Sequence, residues 1–355
     1  MAVSLVSTGV TFPDSSTQIT AATGFGFKNR IINGAMVIDQ RNAGASVSAV
    51  NGNYYLDRFQ TPLTGGGVFT IQRSTTAPVG FTNSAQLTVT TPDTSIASGD
   101  YYAINQYIEG FNAADLGWGT ANAQAVTLSF WVRSSITGTY CVWINNGTGG
   151  RSYVATYTVN SANTWEQKTI TVAGDTSGTW PTDNTAWGRV WFTLGGGSLF
   201  TTTAGSWQAG ALFQTSAQTQ WIATNGATFY ITGVQLEKGS TATSFDYRPY
   251  GTEFALCQRY YEVSSSTPST APQANAIFYS GYAANTGIYY VTKSFMVAKR
   301  AAPTVTPTLI AVSGFPSAAC TIGQPDIMGF RATQTANSTV ADSYFINSWI
   351  ASIEL

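Results

Sequence analysis

Four tryptophans stand in segments of small and hydroxyl-bearing residues: Trp118 between Gly117 and Gly119, and Trp180, Trp187 and Trp207 in runs of Gly, Ser, Thr and Asn. A sugar ring presents a face of C–H groups that a flat indole can cover, while Asn, Gln or Asp take the hydroxyls. These four are the candidates for ring-stacking contacts with a glycan. A large ring in a loop can also close the end of a β-sandwich, so packing is the competing reading for each. Tyr279, Tyr282, Tyr289 and Tyr290 make a second aromatic group, suited to contact at a distal tip or to a subunit interface. Trp131, Trp143, Trp191 and Trp349 fall inside strand-like runs and are assigned to cores or subunit contacts.

Proton-transfer chemistry has little to work with. The chain of 355 residues contains no histidine, which removes the commonest proton shuttle and metal ligand and any Ser-His-Asp arrangement. Asp57, Glu109, Asp115, Asp175, Asp183, Glu237 and Asp246 could in principle pair as acid and base in glycan cleavage, but no spacing brings any two together. Glu237 with Lys238, and Asp246 with Arg248, read as structural pairs or solvated groups. Oxygen ligands for calcium could come from the loop at residues 175–183, although no calcium-loop spacing is present. Three widely spaced cysteines, Cys141, Cys257 and Cys320, form no CxxC pair and read as buried small hydrophobes. No cofactor, no metal and no catalytic residue are expected.

The elements that would hold such rings in place follow from composition. Charged residues make up 9% of the chain and aromatic residues 13%, so disorder is disfavoured and strand-rich packing favoured. A net charge of -1 gives no field for a phosphate backbone, so nucleic-acid binding is not expected. No stretch reaches the length of apolar sequence that a membrane-spanning helix needs. A weakly charged, hydroxyl-rich surface tolerates close packing against copies of itself, which points to an oligomer. The first residues, MAVSLVSTGVTF, lack the basic lead and apolar run of a secretory signal.

Strands are expected at residues 68–72, 86–90, 101–108, 126–132, 140–144, 153–159, 166–172, 189–194 and 228–236. In the run VTLSFWV at 126–132, Val126, Leu128, Phe130 and Val132 share one face and Trp131 takes the other. Gly- and Asn-rich connectors separate these runs, with no helical stretches between them, which indicates a sandwich or jelly roll. Residues 256–261 could form one helical turn or a linking strand. Residues 264–275 read as a loop, and further strands are expected at 276–282, 288–297, 304–308, 326–332 and 344–354. Pro13, Asp14, Ser15 and Ser16 make a turn between two β-prone pieces near the start. The fold class is therefore all-β: a jelly-roll sandwich at 25–262, a smaller β-sandwich at 263–355, and a short attachment or oligomer-entry segment at 1–24.

The segment KNRIINGAMVIDQRNAG at 28–44, followed by YLDRF at 55–59, resembles the opening of a family of tailed-bacteriophage tail-fibre and related virion proteins. So does GVQLEKGSTATSFDYRPYG at 233–251, followed by LCQRYY at 256–261. They enclose a region that resembles a carbohydrate-binding-module-like jelly roll. GVTFPDSSTQIT at 9–20 is similar to the beginnings of many phage fibre proteins, and MVAKRAAPTV at 296–305 with the closing SIEL is similar to a small terminal sandwich of such fibres. The resemblance implies a homotrimer in the virion, joined to other virion proteins through the N-terminal segment and contacting a bacterial surface glycan or protein. It carries over no catalytic residues. The expected function is that of a short trimeric tail fibre that contacts the host surface. A purely architectural collar, adaptor or capsid decoration is the alternative, and a polysaccharide-degrading tail enzyme is the less favoured third.

Overall fold

The computed structural model describes residues 4–6, 9–11, 17–18, 28–264 and 275–355. It is an all-β protein, with 46% of residues in strands against 7% in helices. Near the start, Ser4–Val6, Gly9–Thr11 and Thr17–Gln18 pair antiparallel, with Thr11 opposite Thr17. That pairing brackets the expected turn, whose own residues lie outside the described ones. So do nearly all those of the loop expected at 264–275.

Two antiparallel sheets then face each other. In the six-stranded sheet the order is Glu166–Val172, Val126–Ser134, Thr228–Lys238, Ser84–Thr91, Val68–Ser74 and Val47–Ser48. The eight-stranded sheet runs Trp207–Ala209, Arg151–Val159, Gly138–Asn146, Ala186–Gly196, Tyr101–Glu109, Phe59–Thr61 and Asn53–Leu56, with Leu63–Thr64 also paired to Tyr101–Glu109. Strand alternation drives the assembly: Val126, Leu128, Phe130 and Val132 from one sheet meet Tyr102, Ile104, Tyr140, Val142 and Phe192 from the other in a common core. Trp131 is on the opposite face, as the alternation predicts.

The one α-helix among the described residues spans Tyr250–Gln258, starting directly after Pro249. It begins six residues before the segment 256–261, expected as a helical turn or a linking strand, and Pro249 stands as its N-cap with φ of -52° and ψ of 139°. Beyond it, Tyr261–Val263, Val340–Ser352, Ile277–Ala283 and Thr304–Ser313 form one sheet, and Ile288–Ser294, Gly329–Thr335 and Thr321–Gly323 another. Phe295, Phe315, Phe330, Phe345 and Trp349 fill a second core between them.

Residues 353–355 dock back on the first sandwich. Glu354 pairs with Arg41 and Arg58, and Tyr54 donates to the Leu355 carbonyl at 2.8 Å. Arg58 thus turns away from its neighbour Asp57, which is buried and accepts from Gln40 Nε2 at 2.7 Å. Burial, reinforced by Glu354 and Asp39 against the opposing pull of Arg41 and Gln40, pushes the Asp57 carboxyl up from 3.8 to about 6. Folded Asp57 therefore keeps a proton that the unfolded chain releases in the window from about pH 4 to about pH 6, and its ionised form destabilises the fold above that window. Asp57→Asn is expected to raise stability at neutral pH by on the order of 2 kcal/mol, with the gain shrinking as pH falls through about 6 and gone near about 4. Urea unfolding at both ends of the window checks this; an equal gain at each would contradict it.

Candidate functional site

The outer face of the eight-stranded sheet is built by the same alternation that fills the core. In Tyr101–Glu109, Tyr102, Ile104 and Ile108 point inward, so Tyr101, Ala103, Asn105 and Tyr107 project outward. Tyr140, Val142 and Ile144 point inward from the next strand but one, leaving Cys141, Trp143 and Asn145 outside. Between them, Val190, Phe192 and Leu194 enter the core and Arg189, Trp191 and Thr193 face out. Pairing aligns these residues into rows across the strands. One row reads Gln60, Asn105, Trp191, Trp143 and Val154; the next reads Tyr107, Arg189, Asn145 and Ser152.

Residues 197–220 fold across part of this face and make a wall. Thr193 Oγ1 donates to the Phe213 carbonyl at 2.9 Å, and Gln214 Nε2 donates to the carbonyls of Gly196 and Gly197 at 2.9 and 2.8 Å. Ser152 Oγ accepts from Trp143 Nε1 at 2.8 Å and from the Leu212 amide at 3.1 Å. Phe213 stacks on Phe200 at 4.4 Å and tilts against Trp191 at 5.3 Å. Glycine at 196 leaves room for this approach, since a Cβ there would meet Gln214 Oε1 at 2.6 Å and the Phe213 ring at 3.0 Å and push the Gln214 side chain aside.

Between the wall (Phe200, Ala211, Phe213) and a rim formed by Asn51, Gly52, Gln60 and Pro62 lies a cleft of about 310 Å³. Tyr101, Tyr107, Trp143, Arg189 and Trp191 line its floor. Arg189 lies over Trp143 at 4.5 Å and Trp191 at 4.9 Å from the ring centres, and it donates to Asn145 Oδ1 at 3.0 Å and Tyr107 Oη at 2.7 Å. Burial lowers its pKa, a pull that the neighbouring tyrosines partly offset.

Around the cleft several polar atoms are buried without partners in the chain: both amide atoms of Asn105, Asn145 Nδ2 and Gln214 Oε1 behind its lining, and Trp191 Nε1 in the lining itself. Each such group carries a desolvation cost of about 1–3 kcal/mol. Rings, amides and one guanidinium make this a surface for holding a polar ring compound. Cys141 sits beneath the wall, and burial raises its thiol pKa.

The structure brings Trp118, Trp180, Trp187 and Trp207 together, but as a plug rather than a platform. Trp118 stands 4.7 Å from both Trp180 and Trp187 and 5.2 Å from Trp207. The first three are buried, and Trp118 and Trp180 donate to the carbonyls of Gln124 and Ser177. Their faces are spent on one another at the end of the sandwich, so they offer no open stacking surface; Trp207 is half-buried against Tyr153. Arg151 grips Asp175 with two hydrogen bonds of 2.7 Å and fixes the loop that carries Trp180.

Of the second group, Tyr279 and Tyr289 pack against Phe315 in the smaller core, while Tyr282 and Tyr290 are 61% and 54% exposed. None of the seven candidate carboxylates lines the cleft. Glu109 is held by Arg259, Asp115 by Arg30, and Asp246 lies 3.8 Å from Arg248 as expected. Glu237 departs from expectation: it takes Thr243 and Gln235, and Lys238 reaches Asp115 instead. Asp183 accepts from Thr185, and no cluster of three metal-ligating side chains occurs among the described residues. Sequence reasoning missed Trp143, Trp191, Arg189, Asn105 and Asn145 as a group. Their common outward parity on three strands was the available signal.

Neither any protein-family model nor any curated protein matches the chain. Among solved structures, the enzymatically active domain of bacteriophage CBA120 tailspike protein 4 is similar over 59% of this chain, at 12% identity and a TM-score of 0.32, and the match spans only 21% of that structure's chain. A family 11 carbohydrate-binding module from Clostridium thermocellum, in complex with a β-1,3-1,4-mixed-linked tetrasaccharide, matches 57% of this chain and all of its own at 12% identity and a TM-score of 0.30. A putative sugar binding protein from Bacteroides thetaiotaomicron matches 60% and 100% respectively, at 12% identity and a TM-score of 0.34. No residue of the cleft is carried over from them.

Proposed function

We propose that the protein binds carbohydrate in the cleft on the outer face of its eight-stranded sheet, without cleaving it, as part of a bacteriophage tail fibre. One observation carries the binding reading: a cleft floored by Tyr101, Tyr107, Trp143, Arg189 and Trp191, side chains that pairing sets in register across three strands. The segments at 28–44, 55–59 and 233–261 support the virion assignment through their resemblance to tail-fibre proteins. Assembly is three-fold, with the segment at 1–24 joined to other virion proteins. Exposed apolar side chains on the smaller sandwich, among them Phe278, Tyr282, Ile288 and Tyr290, supply surface for contact with sibling subunits or the host. Three rigidly held weak sites would together retain a repetitive surface glycan. Solution mass tests the assembly directly.

Asn105 separates a binding face from a merely structural one. Leucine keeps the branched shape and needs no hydrogen bonds, although it is the larger side chain. Asn105→Leu is therefore expected to stay within about 1–2 kcal/mol of the parent stability, relief of the unpartnered amide offsetting tighter packing, while losing retention of glycan on an array of bacterial surface polysaccharides. A variant that folds and still binds would refute the site. The architectural alternative has the packed loop tryptophans in its favour, and it predicts no retained glycan from either protein.

A further inference from the structure

The cleft's charge and donor pattern narrows the ligand. Arg189 is set among three rings, with Tyr107 at 5.1 Å completing the set begun by Trp143 and Trp191. Its two hydrogen-bond acceptors are neutral, an amide oxygen and a phenol oxygen. No Asp or Glu is among the residues that line the cleft. Arg30, Arg41, Arg58, Arg151, Arg248 and Arg259 each have a carboxylate at 3.8 Å or closer, whereas Arg73, Arg133, Arg189, Arg300 and Arg331 have none among the described residues; of these five only Arg189 lines this cleft. A guanidinium withdrawn from water and left with neutral partners costs free energy that an incoming anion would offset.

The unpartnered atoms are mostly donors. Trp191 Nε1, Asn105 Nδ2 and Asn145 Nδ2 each hold a buried N–H, whereas Asn105 Oδ1 and Gln214 Oε1 are acceptors. Asn145 lies directly across the strands from Arg189, and Asn105 directly across from Trp191, so these groups occupy two adjacent rows. A neutral sugar hydroxyl can accept from such donors through its lone pairs, but it brings no charge to meet the guanidinium. A carboxylate brings two oxygens and no proton, and it takes charge-assisted hydrogen bonds from a guanidinium.

We propose that the cleft selects acidic glycans, binding a sugar that carries a carboxylate, such as a hexuronic acid, with the carboxylate on Arg189 and the sugar ring against the aromatic floor. This rests on the carbohydrate-binding reading above and adds the class of sugar to it. Recognition combines a fixed cation with ring contacts, so affinity falls as salt screens the charge pair.

The test is an array and titration calorimetry on the whole chain. Three sets of probes are needed: oligomers of galacturonate, glucuronate, mannuronate and guluronate; the same oligomers with their carboxyls reduced to alcohols; and sulfated oligosaccharides that have no carboxylate. At least one uronate is expected to bind roughly 10-fold to 100-fold more tightly than its reduced form. Arg189→Gln should bring the two to the same level. Asn105→Asp, which keeps the shape and adds a negative charge on the diagonal neighbour of Arg189, should weaken uronate binding by about 10-fold or more and confirm the charge requirement even if the arginine variant fails to fold. Equal binding of uronate and reduced oligomers would overturn the acidic preference and leave carbohydrate binding standing. Equal or tighter binding of the sulfated oligomers would overturn the carboxylate. Retention of no probe of any kind would overturn both this inference and the reading beneath it.

Discussion

Trp118→Ala is expected to lower stability by about 3–5 kcal/mol while leaving glycan retention intact below the unfolding transition. Three other indoles stand within 4.7–5.2 Å of its ring, and its Nε1 donates to the Gln124 carbonyl at 2.6 Å. Removing it opens a cavity that the surrounding backbone cannot close, because that backbone is itself fixed. Gly119 packs so near the opposite loop that a Cβ would lie 2.7 Å from the Gly178 carbonyl, and Arg151 holds Asp175 in the same loop. Trp207 is half-buried, so Trp207→Ala should cost less. For a sandwich of this size the Trp118 change amounts to roughly 10 °C in the thermal midpoint. Near-UV circular dichroism on heating would follow it, since four coupled indoles give a signal that depends on their mutual geometry. A stable Trp118→Ala protein that has lost glycan binding would reverse the assignment and return the tetrad to the role of a contact surface.

That reversal of roles shows where sequence stops being informative. The strands were legible because each alternates: VTLSFWV declares its inner face, and the Glu166–Val172 strand falls where the pattern places it. Glycines flanking Trp118 left both an exposed ring and a packed one open, and Gly117 and Gly119 serve a left-handed turn, with φ of 62° and 82°, pressed against a neighbouring loop. Trp143 and Trp191 looked like core residues for the opposite reason. A tryptophan in a strand can face either way, and the outward face here is itself half covered by residues 197–220. The site emerges only when Tyr101–Glu109 is set beside Ala186–Gly196, and that strand beside Gly138–Asn146. Those pairings join strands far apart in the chain, and no local pattern encodes them. Once the order is known, the outward series Tyr101, Ala103, Asn105, Tyr107 reads at once as a polar and aromatic stripe.

Lys299→Met is expected to destabilise the protein by about 3–5 kcal/mol, and a second change, Glu262→Gln, to recover a substantial part of that loss. The two side chains form an ion pair with both partners fully buried. Lys299 Nζ also donates to the Gln258 carbonyl at 2.6 Å, at the last residue of the helix, where the carbonyl ends favour a cation. Glu262 in turn accepts from the Met296 amide at 3.2 Å. The pair thus ties the helix and the Tyr261–Val263 strand to the 295–299 segment of the smaller sandwich. Burial pushes the Lys299 pKa down, and Glu262 opposes that shift. Methionine fills most of the lysine's volume, so the single change acts chiefly by leaving an uncompensated carboxylate in a dry site; neutralising that carboxylate removes the cause. Denaturant unfolding of the two single variants and the double variant would give the coupling between them. Additive losses, within about 0.5 kcal/mol, would mean the charges do not act as a pair and that the junction is held by its backbone contacts instead.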